Sequence, residues 1–370
     1  MKRFLKVFCV FLIVFAFCAG TISAQSLEER LQSMAKTNAK LYVTPLVTAF
    51  GSGMNSGWFH SAKPHKLLGF DVGVRIMAVT FPEDQKVFDF DISALDFTNS
   101  ITINESSYDI TLAATDLYPE TEVPTFFGES EAGKISAIPN ANIVSLIETQ
   151  LLNQGVPQQV LDHTDTQDKL NSFAELIPDI PTPAGTGLEM LPLIVPQAAI
   201  GLSLPMLPIK AEIVVRGLPE IELEDVGKFK FFGLGGKLAL DPFIPIPMFP
   251  INIALGTYIQ KMTIGDVFES NHSLLSLQVG KDLNLVLLAL GVYAGVGLES
   301  SNVKINYTYF NEDDPEDIFN NTEIKFDIKG DNKFRTTVGA RVRLAVLNIS
   351  ADYSMGADNV LTIGAGLSIR

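Results

Sequence analysis

Cysteine, histidine, tryptophan and basic charge are all scarce in this 370-residue chain, and each scarcity excludes a class of chemistry. Both cysteines, Cys9 and Cys18, sit in the N-terminal stretch, so a chain trimmed there has neither disulfide nor thiol chemistry. The four histidines, His60, His65, His163 and His272, have no metal-ligand spacing and read as ordinary loop residues. The 27 basic residues face 42 acidic ones, a net charge of −15 at pH 7, which removes nucleic acid as a partner. Beyond the first residues no segment reaches the ~18 consecutive apolar residues of a membrane-spanning helix. The nearest, 285–298, is broken by Gly291, Gly295 and Gly297.

The chain opens with Lys2, Arg3 and Lys6, an apolar run from Val7 to Phe17, and small residues ending at Ala24. Residues 1–24 therefore read as a cleaved secretory signal peptide. From Gln25 to Lys40 a helix is expected, with Ser26 as N-cap and Leu27, Leu31, Met34 and Ala35 on one stripe. Residues 41–50 are expected to be extended. The glycine-rich 51–57 then makes a flexible link to Trp58 and Phe59.

What the sequence has in quantity is alternation. In the last segment Leu361, Ile363, Ala365, Leu367 and Ile369 fall on one face, with Thr362, Gly364, Gly366 and Ser368 on the other. That period of two belongs to a strand. It recurs in 68–78, 209–216, 232–240, 251–260, 274–279, 290–298, 303–309, 324–329, 338–346 and 347–355. The polar faces carry charge: Asp71, Arg75, Lys210, Glu212, Lys237, Lys325, Asp327, Arg341, Arg343 and Asp352. A wet or plugged lumen accommodates such charges, whereas a soluble barrel or sandwich would turn its apolar face inward. Asp71 and Arg75 are expected to pair indoors. A hairpin centred on the phase slip at Val346 and Leu347 would set Arg341 opposite Asp352 and Arg343 opposite Ser350.

Residues 82–192 break the pattern and read as an insertion, with short strands near 87–92 and 108–113 and two helical pieces around Pro157. It ends in proline-rich extended runs. The apolar stretch 177–208 could offer a capture surface at the rim, or simply pack there.

The runs 41–46 (Leu-Tyr-Val-Thr-Pro-Leu), 57–62 (Gly-Trp-Phe-His-Ser-Ala) and 69–75 (Gly-Phe-Asp-Val-Gly-Val-Arg) are similar to a family of bacterial outer-membrane β-barrel proteins. Residues 231–260 and 341–367 resemble the long-chain fatty-acid transporter (FadL-like) barrels. The resemblance implies a fourteen-stranded barrel whose N-terminal segment plugs the lumen and which passes hydrophobic molecules inward. Arg370, in place of a terminal aromatic, and the long insertion depart from that pattern.

No enzyme signature is present. The run from Gly233 to Lys237 lacks phosphate-loop spacing, and the acidic 311–317 lacks the glycine of a calcium loop. The expected fold is all-β, an antiparallel transmembrane barrel of about 12–14 strands over 67–370, with 25–66 as helix and plug and 82–192 inserted. The expected function is binding or passing a small hydrophobic molecule without catalysis, cofactor or metal, in the outer membrane, as a monomer touching lipid. The alternative is a surface-interaction protein whose insertion binds a partner. Trp58, Phe59, Gly51, Gly53 and Gly57 are the candidate ligand and plug residues, and Asp71, Arg75, Arg341, Arg343 and Asp352 the candidate lumen charges.

Overall fold

The structure, a computed structural model, describes residues 36–202, 209–223, 227–245, 250–285, 287–308 and 323–369. The expected signal peptide, most of the expected 25–40 helix, the acidic 311–317 run and Arg370 lie outside the described residues. The described residues divide into two compact units, one holding those within 44–82 and 188–369, the other those within 36–43 and 83–187.

In the first unit, β1 (Phe70–Thr80) precedes the interruption, and the remaining barrel strands follow it. These are β8 (Met190–Gly201), β9 (Ala211–Leu223), β10 (Gly227–Ala239), β11 (Asn252–Ile264), β12 (Phe268–Asn284), β13 (Leu288–Thr308), β14 (Glu323–Lys329), β15 (Phe334–Leu344), β16 (Leu347–Met355) and β17 (Asn359–Ile369). Every neighbouring pair is antiparallel, and β1 pairs both β8 and β17 while β12 pairs β13. The sheet therefore closes into a barrel, which pairs its strand edges except along part of the β8–β9 seam.

Ten strands close it, fewer than the 12–14 expected, and β13 explains much of the difference. The alternation at 290–298 and 303–309 predicts separate crossings, but one 21-residue strand, 288–308, carries the described residues of both. Its lower half pairs β15 and its upper half pairs β14, so β14 does not cross the barrel wall separately. Lys325 and Asp327 on β14 are accordingly exposed, not in the lumen.

The alternation is satisfied with hydrocarbon outward. On β1, Val72 is 53% and Ile76 48% exposed, whereas Asp71 and Arg75 are 0% and 1% exposed. The same inversion holds on β10 to β12, where Phe232, Leu234, Ile259, Leu275 and Leu277 point out. A soluble barrel would face a large penalty for that surface in water, while a bilayer requires it. No described helix is long and apolar enough to cross a membrane, which says nothing of crossing by strands.

The hairpin β15–β16 turns through Ala345 and Val346, pairing Leu344 with Leu347. Arg341 is therefore opposite Ser350, and Gly339 is opposite Asp352. This register is two residues from the expected one, so every side chain keeps its face while its cross-strand partner changes.

Residues 41–50 are helical, not extended, within α1 (Lys36–Met54), and Pro45 lies inside it. In the first unit, residues 44–54 of this helix lie against the barrel wall, and a chain there cannot give its N–H groups to the wall without opening it, so a helix satisfies them internally. That requirement overrides the β-branched Thr44, Val47 and Thr48.

The second unit holds the short strands β2 (Val87–Asp89), β3 (Phe97–Ile103), β4 (Ser106–Leu112), β5 (Glu122–Pro124), β6 (Gly133–Ile135) and β7 (Ile180–Thr182). Among them are α2 (Ala114–Leu117), α3 (Asn140–Asn153), α4 (Gln158–Leu161) and α5 (Thr164–Ala174). The helices flank Pro157 as the sequence indicates. Ile143, Ile147, Leu151, Leu161, Leu170 and Phe173 are buried in this unit.

Candidate functional site

The lumen is occupied by the chain's own residues 44–66. Near the end where β1 finishes, Phe50 lies 6.2 Å from Phe268 edge-on, and Ser52 Oγ donates to Asp358 Oδ2 at 3.0 Å. Arg335 binds Glu299 at 2.8 Å and also donates to the Ser52 carbonyl and to Ser56 Oγ. Midway, Trp58 stacks on Tyr258 at 4.8 Å, and Phe59 meets Tyr293 edge-on at 5.9 Å. At the opposite end Lys237 Nζ donates to the Ser61 carbonyl at 3.0 Å, and the backbone N–H of His65 donates to Glu212 at 2.9 Å. The segment thus runs the length of the barrel.

Glycines on the wall make room for it. A Cβ at Gly233 would stand 2.9 Å from the Trp58 ring, and one at Gly295 2.7 Å from the Phe59 ring. On the plug, Gly51 abuts Ser301 and Gly53 abuts Leu193. Gly57 takes φ of +66°, a left-handed conformation that brings Trp58 round to the wall.

The expected lumen charges are partly rearranged. Arg75 Nη2 pairs with Asp71 Oδ1 at 3.2 Å and faces His60 Nδ1 at 2.9 Å. Arg341 pairs with Asp282 of β12 at 2.6 Å rather than with Asp352. Asp352 accepts instead from the Tyr293 hydroxyl at 3.1 Å. Arg343 is only half-buried, close to the β15–β16 turn. His60 and His65 lie in loop segments as expected but are buried, His272 is buried on β12 instead of in a loop, and His65 Nδ1 lies 2.5 Å from Glu212. Among the described residues no cluster could hold a metal ion.

One seam of the wall is incomplete. β8 pairs β1 over its full length, from Phe70↔Ile200 to Thr80↔Met190. With β9 it pairs only from Gln197↔Arg216 to Gly201↔Glu212, and above Gln197 the ladder stops. Pro192 and Pro196 lack the N–H groups a ladder needs, and β9 bulges near Pro219, where its register with β10 shifts. A groove of about 590 Å³ lies at this seam, lined by Val72, Pro196, Ala198, Val215, Leu218 and Phe232, with Gln197 and Arg216 among its walls. Glu220 and Lys230 also line it, and they pair at 3.3 Å.

Arg216 links the groove to the plug. Its Nε donates to Gln197 Oε1 at 2.7 Å, Nη1 to the Met54 carbonyl at 2.9 Å and Nη2 to the Ser56 carbonyl at 2.7 Å. Its Cζ lies 3.9 Å from the centroid of the Trp58 ring, a cation–π contact. The alternation on β9 already puts Arg216 on the polar face. Its position at a seam depends on where two strands stop pairing, which no local pattern encodes.

The chain belongs to a family of unknown function (DUF6588), whose model matches residues 1–369. Among curated proteins none gives a significant sequence match. Among solved structures it is similar to the β domain of the Bordetella autotransporter Brka, at 14% identity and a TM-score of 0.21, covering 48% of this chain and 91% of that one. The barrel assignment above rests on strand register and the direction of the side chains.

Proposed function

We propose that this protein is an outer-membrane β-barrel that binds or passes a small hydrophobic molecule, without chemistry on it, and that the molecule enters sideways from the bilayer. This is the transport reading implied by the resemblance to FadL-like barrels, narrowed to one route. The single observation that carries it is the seam between β8 and β9, where an apolar groove opens on the lipid-facing wall and reaches Arg216 beside Trp58. An axial route is a poorer candidate, because 44–66 fills the lumen and is bonded to the wall at both ends. A groove between apolar outer residues needs no plug displacement to receive an alkyl chain.

The second reading, a surface-interaction protein anchored by its barrel, is favoured by that same density of plug bonds. The test uses protein extracted from outer-membrane fractions and reconstituted in liposomes, with heat-modifiability on gels as the fold check. A fluorescently labelled dodecyl chain, supplied as the alcohol and as the acid, is expected to accumulate above the level of empty liposomes. Ala198→Trp, which fills the groove, is expected to abolish that gain while keeping the gel shift. Accumulation no greater than in empty liposomes for both compounds would leave the anchoring reading in its place.

A further inference from the structure

We infer that the open edge of β3, in the second unit, docks an extended segment of a partner protein in which apolar and basic residues alternate. This edge belongs to residues 83–187 alone and is independent of what the barrel binds or passes.

The hairpin of β3 and β4 has two edges that are finished differently. On β4, side-chain amides from α3 stand in for a further strand. Gln150 Oε1 accepts from the Thr111 N–H at 3.2 Å, Gln150 Nε2 donates to the Thr111 carbonyl at 2.5 Å, and Gln154 Nε2 donates to the Asp109 carbonyl at 2.8 Å. The backbone groups of Thr111 and Asp109 thus point away from β3. Directly opposed residues of an antiparallel ladder behave alike, so Thr98 and Ser100, with Thr102 next in the series, turn their backbone groups away from β4. At that edge the Ser100 N–H goes to the Asn99 side chain at 2.8 Å, and the Thr102 carbonyl accepts from Lys169 Nζ at 3.0 Å. Among the described residues, the Thr98 N–H and carbonyl, the Ser100 carbonyl and the Thr102 N–H have no partner across this edge. All three residues are exposed. Such a row of donors and acceptors accepts an added strand.

A groove of about 530 Å³ runs beside it, lined by Ser100, Thr102, Asp168, Lys169, Phe173 and Leu176. Leu176 is 57% exposed, and the apolar side chains on one face of an added strand would cover it. The opposite face of the hairpin carries Asp109, exposed and directly across from Ser100, whose Oγ donates to it at 2.7 Å. No lysine or arginine pairs with Asp109 among the described residues. Basic side chains on the added strand's other face would meet that carboxylate.

Charge selects the partner. Residues 83–187 carry the chain's entire net charge of −15, with eighteen carboxylates against Lys86, Lys134 and Lys169. Lys86 and Lys134 already pair with Glu83 and Asp179, and Lys169 holds the Thr102 carbonyl. A second copy of this unit would be repelled, whereas a basic segment is drawn in.

The full-length protein in detergent is titrated by fluorescence anisotropy with three labelled heptapeptides. One alternates lysine and valine, one alternates glutamate and valine, and the third is the lysine-valine peptide N-methylated throughout, which keeps the charge and loses every backbone donor. The first is expected to bind about tenfold or more tighter than either control, and to weaken as salt is raised. Ser100→Pro, which blocks the outward side of β3 and leaves its ladder with β4 intact, is expected to lose about tenfold or more in affinity while alkyl accumulation in liposomes is unchanged. Equal binding of the N-methylated peptide would reduce the contact to charge attraction and overturn the inference. Equal binding of the glutamate peptide, or no binding of any, overturns it too, and these comparisons need only the unaltered protein. A dimer in sedimentation that Ser100→Pro dissociates, with no peptide bound, would put a second copy on the edge in place of a basic partner and overturn it as well.

Discussion

The guanidinium of Arg216, on the barrel wall, lies 3.9 Å over the ring of Trp58, on the plug, and its Nη1 and Nη2 hold the carbonyls of Met54 and Ser56. One wall residue thus fixes the backbone of the residues that lead into the aromatic filling the middle of the lumen. Trp58 is sandwiched, with Tyr258 stacked 4.8 Å from it. Trp58→Ala is expected to cost about 3–5 kcal/mol, as for other buried aromatics cut to alanine. The measurement is the temperature at which the compact gel species converts to the unfolded one, compared with the unaltered protein.

Arg335 and Glu299 pair at 2.8 Å with little exposure, and Arg335 also reaches the plug. Removing either charge alone strands the other, at a cost of about 3–5 kcal/mol. The double variant Arg335→Met with Glu299→Gln is expected to lose less than the sum of the two single variants. Urea unfolding in detergent measures all three; additivity would show that the pair does not act as a unit.

A plug bonded along its length should seal the barrel. Deleting residues 36–59 is expected to convert silent planar bilayers into conducting ones, with the barrel still heat-modifiable. Unchanged conductance would mean that 44–59 is not what closes the lumen.

Ala345 has φ of +53°, a left-handed conformation that a Cβ disfavours, in the tight turn between β15 and β16. Ala345→Gly relieves that strain and is expected to stabilise the barrel by about 0.5–1 kcal/mol, net of glycine's added freedom in the unfolded chain. Urea midpoints of the two proteins decide it.

The second unit carries a pH signature at both ends of the scale. Lys134 bonds the Asp179 carboxylate at 2.5 Å, and together with the Ala137 N–H it holds the carboxyl below its usual range. A depressed carboxyl contributes stability at neutral pH, fully present above the unfolded value of about 3.9 and lost as pH falls through the folded one. Tyr118 is shifted upward, by burial first and by the charge of Asp179 second, and its hydroxyl donates to the Pro178 carbonyl at 2.7 Å. The contribution of Tyr118 is present below about pH 10 and lost as pH rises through its folded value. Asp179→Asn should flatten the acid limb of the stability profile, and Tyr118→Phe the alkaline limb, in thermal melts followed from pH 2 to 12. A single profile shared by all three proteins would rule out both roles.

The sequence by itself determined which residues share a face. Strict alternation puts Asp71 with Arg75, and Arg341 with Asp352, on one side of their strands whatever the partner strand, because the period of two is a local property of the extended backbone. It also marked the interruption after β1, the helices about Pro157, and Trp58 beside a glycine-rich run. Tertiary structure decided which side of that face meets lipid, since inward and outward apolar faces read alike until the sheet closes. It decided register, moving Arg341 from Asp352 to Asp282 by two residues of turn geometry. It made 41–50 helical, and for 44–50 the reason is that a segment enclosed by a barrel must satisfy its own backbone. And it placed Arg216 at a seam where prolines end a ladder, a relation set by strand register and not by the local pattern.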